Sequence, residues 1–169
     1  MQRKRMNKNS NPIDIKDKIE DKIIDYLAFE AGGQLIVTNP PVTSPADLAI
    51  KKRGEYYDGT TIYLKIKEYK KSDKEKIYRA EVIEGEFEPR EDFYLLFIYF
   101  DIVTQDIADY IWLVPTTDFL KIASTSASDR KKVFIFEAPI NIKEKNKYSN
   151  FLINKKTLAK TLEKIIKGK

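Results

Sequence analysis

Hydrophobic positions recur along this chain at two different periods. From Ile13 the apolar residues Ile15, Ile19, Ile23, Ile24 and Leu27 fall three and four apart until Gly32-Gly33 interrupts them, which predicts a helix over Pro12 to Ala31. Gln34 to Thr38 (QLIVT) is short and β-branched and stops before Pro40-Pro41, so it reads as a first strand. Asp47 to Lys52 (DLAIKK) predicts a second strand and Thr61 to Tyr69 (TIYLKIKEY) a third, with Asp58-Gly59 as the turn of an antiparallel hairpin. In the charged stretch that follows, Ile77 to Ile83 (IYRAEVI) fits either a short strand or a turn or two of helix.

Further on the apolar runs lengthen. Phe93 to Phe100 (FYLLFIYF) is apolar at every position between Asp92 and Asp101, the pattern of a strand covered on both faces and therefore central. Tyr110 to Val114 is the next strand, ended by Pro115, and Thr116 or Thr117 is placed to cap a short helix over Asp118 to Ala123. Ser124 to Arg130 is polar and reads as a loop, Val133 to Phe136 as another strand. Leu158, Leu162, Ile165 and Ile166 give a one-faced, Lys-rich C-terminal helix. The order αβββ, a variable insert, then ββαβα predicts a mixed α/β fold for residues 12–169 as a single domain, preceded by a disordered basic arm over residues 1–11.

Composition narrows the chemistry. A chain of 169 residues with 42% hydrophobic content suits one core, and it contains no His and no Cys. Zinc fingers, His- or Cys-ligated haem, Ser-His-Asp triads and thiol nucleophiles are all excluded. Catalysis near neutral pH is left to carboxylates, Lys, Tyr, Ser or Thr, or to an oxygen-ligated metal such as Mg²⁺. The lack of disulfides fits a cytoplasmic protein, and the apolar runs are too short and too closely flanked by acids to predict a membrane span or an export signal.

The net charge of +5 is unevenly spread. Residues 1–8 carry +4 through Arg3, Lys4, Arg5 and Lys8, and residues 143–169 carry nine Lys against two Glu. The body between them has 18 basic and 24 acidic residues. Basic ends suit a polyanion, since each cation near a phosphate releases counterions, and they equally suit solubilising tails.

No glycine-rich phosphate loop is present, so the candidate chemistry rests on charged residues placed by the predicted elements. Glu20 lies in the first helix, Asp47 opens the second strand, and Lys65 and Lys67 lie on the third. Strand alternation points Tyr63, Lys65, Lys67 and Tyr69 one way and Leu64, Ile66 and Glu68 the other. The hairpin can bring Asp47 and Lys67 to one face, and a helix packed there can add Glu20. Each also has a plainer reading. Glu20 fits a solvated or i,i+4 paired helix residue, Asp47 a turn carboxylate, and the two Lys the exposed face of an edge strand. Trp112 and the aromatic strand residues read as core rather than as a base-stacking platform.

A helix with Glu, a strand, then a β-hairpin carrying Asp and a later [Glu/Gln]-x-Lys resembles the PD-(D/E)XK restriction-endonuclease-like superfamily. The segments SPADLAI, IYLKIKEYK, FYLLFIYFD and DYIWLVPTTDF carry the likeness, over about residues 12 to 135. It implies a mixed central sheet flanked by helices and phosphodiester hydrolysis of DNA or RNA with Mg²⁺, for which Mn²⁺ can substitute. It further implies Asp47 as metal-binding Asp, Glu20 as accessory acid and metal ligand, and Lys67 as the Lys that positions the attacking water. The chain departs from the pattern at Lys65, which stands where the family has an acid. Two outcomes follow: the acid has migrated and Glu20 with Asp47 forms the ligand pair, or the site is dead and Lys65, Lys67 and Lys51 grip phosphate as a basic groove. Arg3, Lys4 and Arg5 would then add backbone contacts, and the partner is nucleic acid, a second copy of the chain or another protein, with no membrane involved.

Overall fold

A computed structural model describes residues 12–54, 59–128 and 131–168. The expected basic arm with Arg3, Lys4 and Arg5, together with Asp58, lies outside the described residues. Helix α1 (Pro12–Glu30) leads into β1 (Leu35–Thr38), β2 (Leu48–Lys52) and β3 (Thr61–Glu68). The insert forms β4 (Lys70–Ser72) and β5 (Ile77–Ile83), and β6 (Phe93–Ile98) follows. A small ribbon, β7 (Phe100–Asp101) and β8 (Asp106–Ile107), precedes β9 (Tyr110–Pro115) and α2 (Thr116–Ile122). The chain ends through β10 (Ser124–Ser128), β11 (Lys131–Pro139), β12 (Leu152–Asn154) and α3 (Leu158–Lys167).

The main sheet has six strands in the order β1-β2-β3-β6-β9-β12, with β3 and β6 parallel and the other pairs antiparallel. All six residues of β6 are buried, as a run without polar positions requires once both faces are covered. Its side chains serve two cores. Tyr94, Leu96 and Ile98 join Ile19, Ile23 and Leu27 of α1 and Leu162 and Ile166 of α3 on one face. Phe93, Leu95 and Phe97 join Trp112, Phe119, Phe134, Phe136 and Tyr148 on the other. That second face is covered by a four-stranded sheet, β10-β11-β5-β4, with α2 beside it. The architecture is mixed α/β as expected, with helices on one face and a second sheet contributing most of the cover on the other. Trp112 is 1% exposed within the aromatic core. Among the described residues no helix is long and apolar enough to cross a membrane.

Two expectations are corrected. Residues 124–128 form strand β10 rather than loop, because each of them pairs with β11. The exposed side chains of residues 124–127 leave no apolar period in STSAS to announce the strand. Thr116 and Thr117 do not cap α2. Pro115 holds the N-cap position without a side-chain bond, and Thr116 is itself fully buried. Its Oγ1 donates to the Arg90 carbonyl (3.0 Å) and accepts from the Arg90 amide (3.1 Å), tying the connection before β6 to the end of β9. Thr116→Val, which keeps the shape and removes the hydroxyl, is expected to cost about 1–2 kcal/mol by denaturant unfolding, since two backbone groups lose their partner.

Candidate functional site

Strand β2 begins at Leu48, opposite Leu64, so β3 runs on past the end of its neighbour. Asp47 occupies that end. Its amide donates to the Leu64 carbonyl (2.8 Å), and its Oδ2 accepts the Ile66 amide (2.7 Å) that a longer β2 would have bonded. The side chain is only 5% exposed, and its second oxygen faces outward to two ammonium groups. Lys65 Nζ lies 3.2 Å and Lys16 Nζ 3.0 Å from Asp47 Oδ1. Lys16 reaches back 3.4 Å to Glu20 Oε1, one turn on along α1. Two carboxylates from elements distant in sequence therefore converge on one cation.

Alternation along β3 is as expected. Ile62, Leu64 and Ile66 enter the helix-side core, and Tyr63 and Tyr69 belong to the aromatic side. Lys65 and Lys67 lie on that second side and are separated by their partners. Lys67 Nζ bonds not Asp47 but Glu86 Oε2 at 2.8 Å. Glu86 follows β5 and lies in the stretch whose sequence has no clear period. Gly85 beside it marks a turn, and nothing in the sequence connects that turn to Lys67. Lys16 was equally unmarked, one Lys among several on a charged helix.

Lys16, Lys65, Lys67 and Glu86 border a cavity of about 690 Å³ between α1, the second half of β3 and β5, and Asp47 and Glu20 reach it only through Lys16 and Lys65. Lys16, Lys65, Lys67, Lys70 and Arg79 line it with Glu68, Glu81 and Glu86. Lys51 does not line it: it sits opposite Thr61, at the far end of β2 from Asp47. The acids respond to this setting in opposite directions. Burial pushes the Glu20 carboxyl up, and the charge of Asp47 adds to the rise against the opposing pull of Lys16. Burial also acts upward on Glu86, but the bonds from Lys67 and the Ile83 amide and the charges of Lys67 and Lys65 outweigh it, so its carboxyl sits below the usual range. The Lys16 ammonium is held above its ordinary value, first by its bond to Asp47, against a smaller opposing effect of burial.

Among the described residues no group of three or more acids is placed to hold a metal ion. The donor set at the end of β2 is smaller, Asp47 Oδ1 and Glu20 Oε1 sharing the Lys16 ammonium. Lys16 is 58% exposed and can withdraw into solvent. A hard cation in its place would meet two carboxylates, the number Mg²⁺ commonly takes from protein beside water and phosphate. In number the two carboxylates match such an ion, and Lys65 beside Asp47 acts against it.

No family model matches the chain, and no curated protein matches it. A solved structure does, that of a bacterial homing endonuclease, I-Ssp6803I. The two share 13% sequence identity with a TM-score of 0.55, over 92% of this chain and 94% of that one. The likeness is one of fold, and it extends over nearly the full length of both chains.

Proposed function

We propose that this protein is a metal-dependent nuclease of the PD-(D/E)XK type, which binds the backbone of DNA or RNA in the cavity beside β3 and hydrolyses a phosphodiester bond. The observation that supports this most is the convergence of Asp47 and Glu20 on one cation position beside the two lysines of β3. Asp47 and Glu20 would hold Mg²⁺, which supplies Lewis acidity toward the phosphoryl group when bound. Lys67 donates a hydrogen bond to the attacking water or a phosphate oxygen and stabilises the charge that develops there. Lys65, Lys70 and Arg79 attract the backbone without reading sequence, so binding weakens as salt rises.

Plasmid nicking in Mg²⁺ or Mn²⁺, with binding measured at low and high salt, tests the reading. Metal-dependent nicking with salt-sensitive binding is expected, and no nucleic-acid binding even at low salt would overturn it. Lys16→Gln is expected to tighten Mn²⁺ binding roughly tenfold by calorimetry, the scale of removing one competing unit charge from a partly solvated site.

A second reading has its own observation. Asp47 Oδ1 carries both Lys16 and Lys65, and Lys65 stands where the family pattern has an acid. A site so neutralised suits a non-catalytic module that holds nucleic acid or a protein. Lys65→Glu separates the two readings: cleavage that appears only in this variant identifies a degenerate nuclease, whereas wild-type cleavage that survives or rises supports the enzyme.

A further inference from the structure

Lys65 and Lys67 leave β3 on one face, about 6.6 Å apart along the strand, and each needs a counter-charge where water is scarce. Asp47 serves the first. Its carboxylate is already engaged by Lys65, Lys16 and the Ile66 amide. Glu86 serves the second, from a different element, and its place is tightly determined. The Glu86 amide donates to the Ile83 carbonyl (3.0 Å), and Glu86 Oε2 accepts the Ile83 amide (2.7 Å). Gly85 makes this turn with φ of +94°, a conformation a side chain at that position would strain. The turn thus folds Glu86 back over the end of β5 and directs its carboxylate across the cavity to Lys67.

We infer that Glu86 is the positioning residue for Lys67, reaching it from the β5–β6 connection. The inference rests on the nuclease reading and adds a member to its site. Glu86 holds the Lys67 ammonium at 2.8 Å and fixes where it points into the cavity. Its chemistry requires no metal contact. The fold supports this role because β5 packs its second sheet against the face of β3 from which Lys67 projects.

The test reads the pairing directly. Site-resolved labelling of Lys67 by an amine-reactive ester, followed by peptide mass spectrometry, is expected to rise about fivefold in Glu86→Gln, the factor for a pair contributing about 1 kcal/mol. In Lys65→Glu/Glu86→Gln it is expected to return toward wild type, because the new acid on β3 takes over Lys67. Gly85→Ala, which changes no charge and disturbs only the turn, is expected to raise labelling as well. Nicking should follow the same order, with kcat falling in Glu86→Gln while KM changes little, and recovering in the double variant. Unchanged labelling of Lys67 in Glu86→Gln overturns the pairing, and failure of the double variant to restore it overturns the reading that a neighbouring carboxylate is what holds Lys67. Lack of cleavage by the wild type would end the nuclease reading, while the labelling still decides whether Glu86 holds Lys67.

Discussion

Asp47→Ala is expected to lower nicking by about a thousandfold or more and to cost stability as well, and the two losses have separable causes. The chemical loss follows from removing one of the two carboxylates that, among the described residues, meet at Lys16, together with the charge that opposes Lys16 and Lys65 there. The stability loss follows from the Ile66 amide, whose N–H loses its acceptor once Oδ2 is gone; a buried, unsatisfied donor costs about 1–3 kcal/mol. Asp47→Asn divides them. Its side-chain oxygen can still receive the Ile66 amide, so most of the stability should remain, while the neutral amide no longer holds a divalent ion. Nicking rates and urea midpoints for both variants provide the check. If Asp47→Asn cuts plasmid at the wild-type rate, the assignment of Asp47 to metal binding is wrong.

The second large effect concerns stability away from the cavity. Lys155, with its side chain 8% exposed, reaches Asp106 Oδ2 at 2.9 Å and the Ile107 carbonyl at 2.8 Å, and lies over the Tyr26 ring. Tyr26 in turn donates its hydroxyl to Asp106. One lysine thus joins the start of the C-terminal segment to the β7–β8 ribbon and to α1. Asp106→Ala leaves this ammonium largely buried, with the Ile107 carbonyl, the Tyr26 ring and the exposed Asp109 as its remaining partners, and about 2–3 kcal/mol of stability should be lost. That value is below the full cost of breaking a deeply buried pair because Asp106 is itself a third exposed. Lys155→Met/Asp106→Leu should lose less than the two single changes summed, since neither charge is then stranded.

The pH dependence of this network has a definite sign. Burial acts upward on the Asp106 carboxyl, but the bonds from Lys155, the Ile107 amide and Tyr26 outweigh it and hold it below its ordinary value. A depressed folded value means that the stabilisation is fully present above the unfolded value near ~4 and is lost as pH falls through the folded one. The gap in melting temperature between wild type and Asp106→Asn should therefore be constant near neutrality and narrow below about pH 4. A gap that widens in acid would contradict the assignment.

Particular residues show how far the sequence could be read. The three- and four-residue spacing from Ile15 to Leu27 places α1 within a residue of its observed end, and the alternation in TIYLKIKE matches β3 position by position. Glu20 and Asp47 are joined through Lys16. Lys67, which strand alternation places on one face with Lys65, bonds Glu86, and Lys51 lies away from the cavity. Thr116 has the composition of a cap and the position of a buried tie between β9 and the Arg90 backbone. Lys155, one of nine lysines in a basic C-terminal segment, carried no sign of burial.

The sequence by itself determined the periodic elements, the central place of β6, the exclusion of His and Cys chemistry, and the face of β3 that bears two lysines. Those properties follow from backbone geometry, which repeats every two or 3.6 residues and leaves its mark within a short window. Tertiary structure alone decided which acid answers which lysine, that β2 stops one residue short of Lys65's level, and that a second sheet rather than a helical layer covers most of the aromatic face. Ion pairs form wherever long flexible side chains from separate elements meet, and that depends on sheet register and loop closure over tens of residues, which no local pattern encodes.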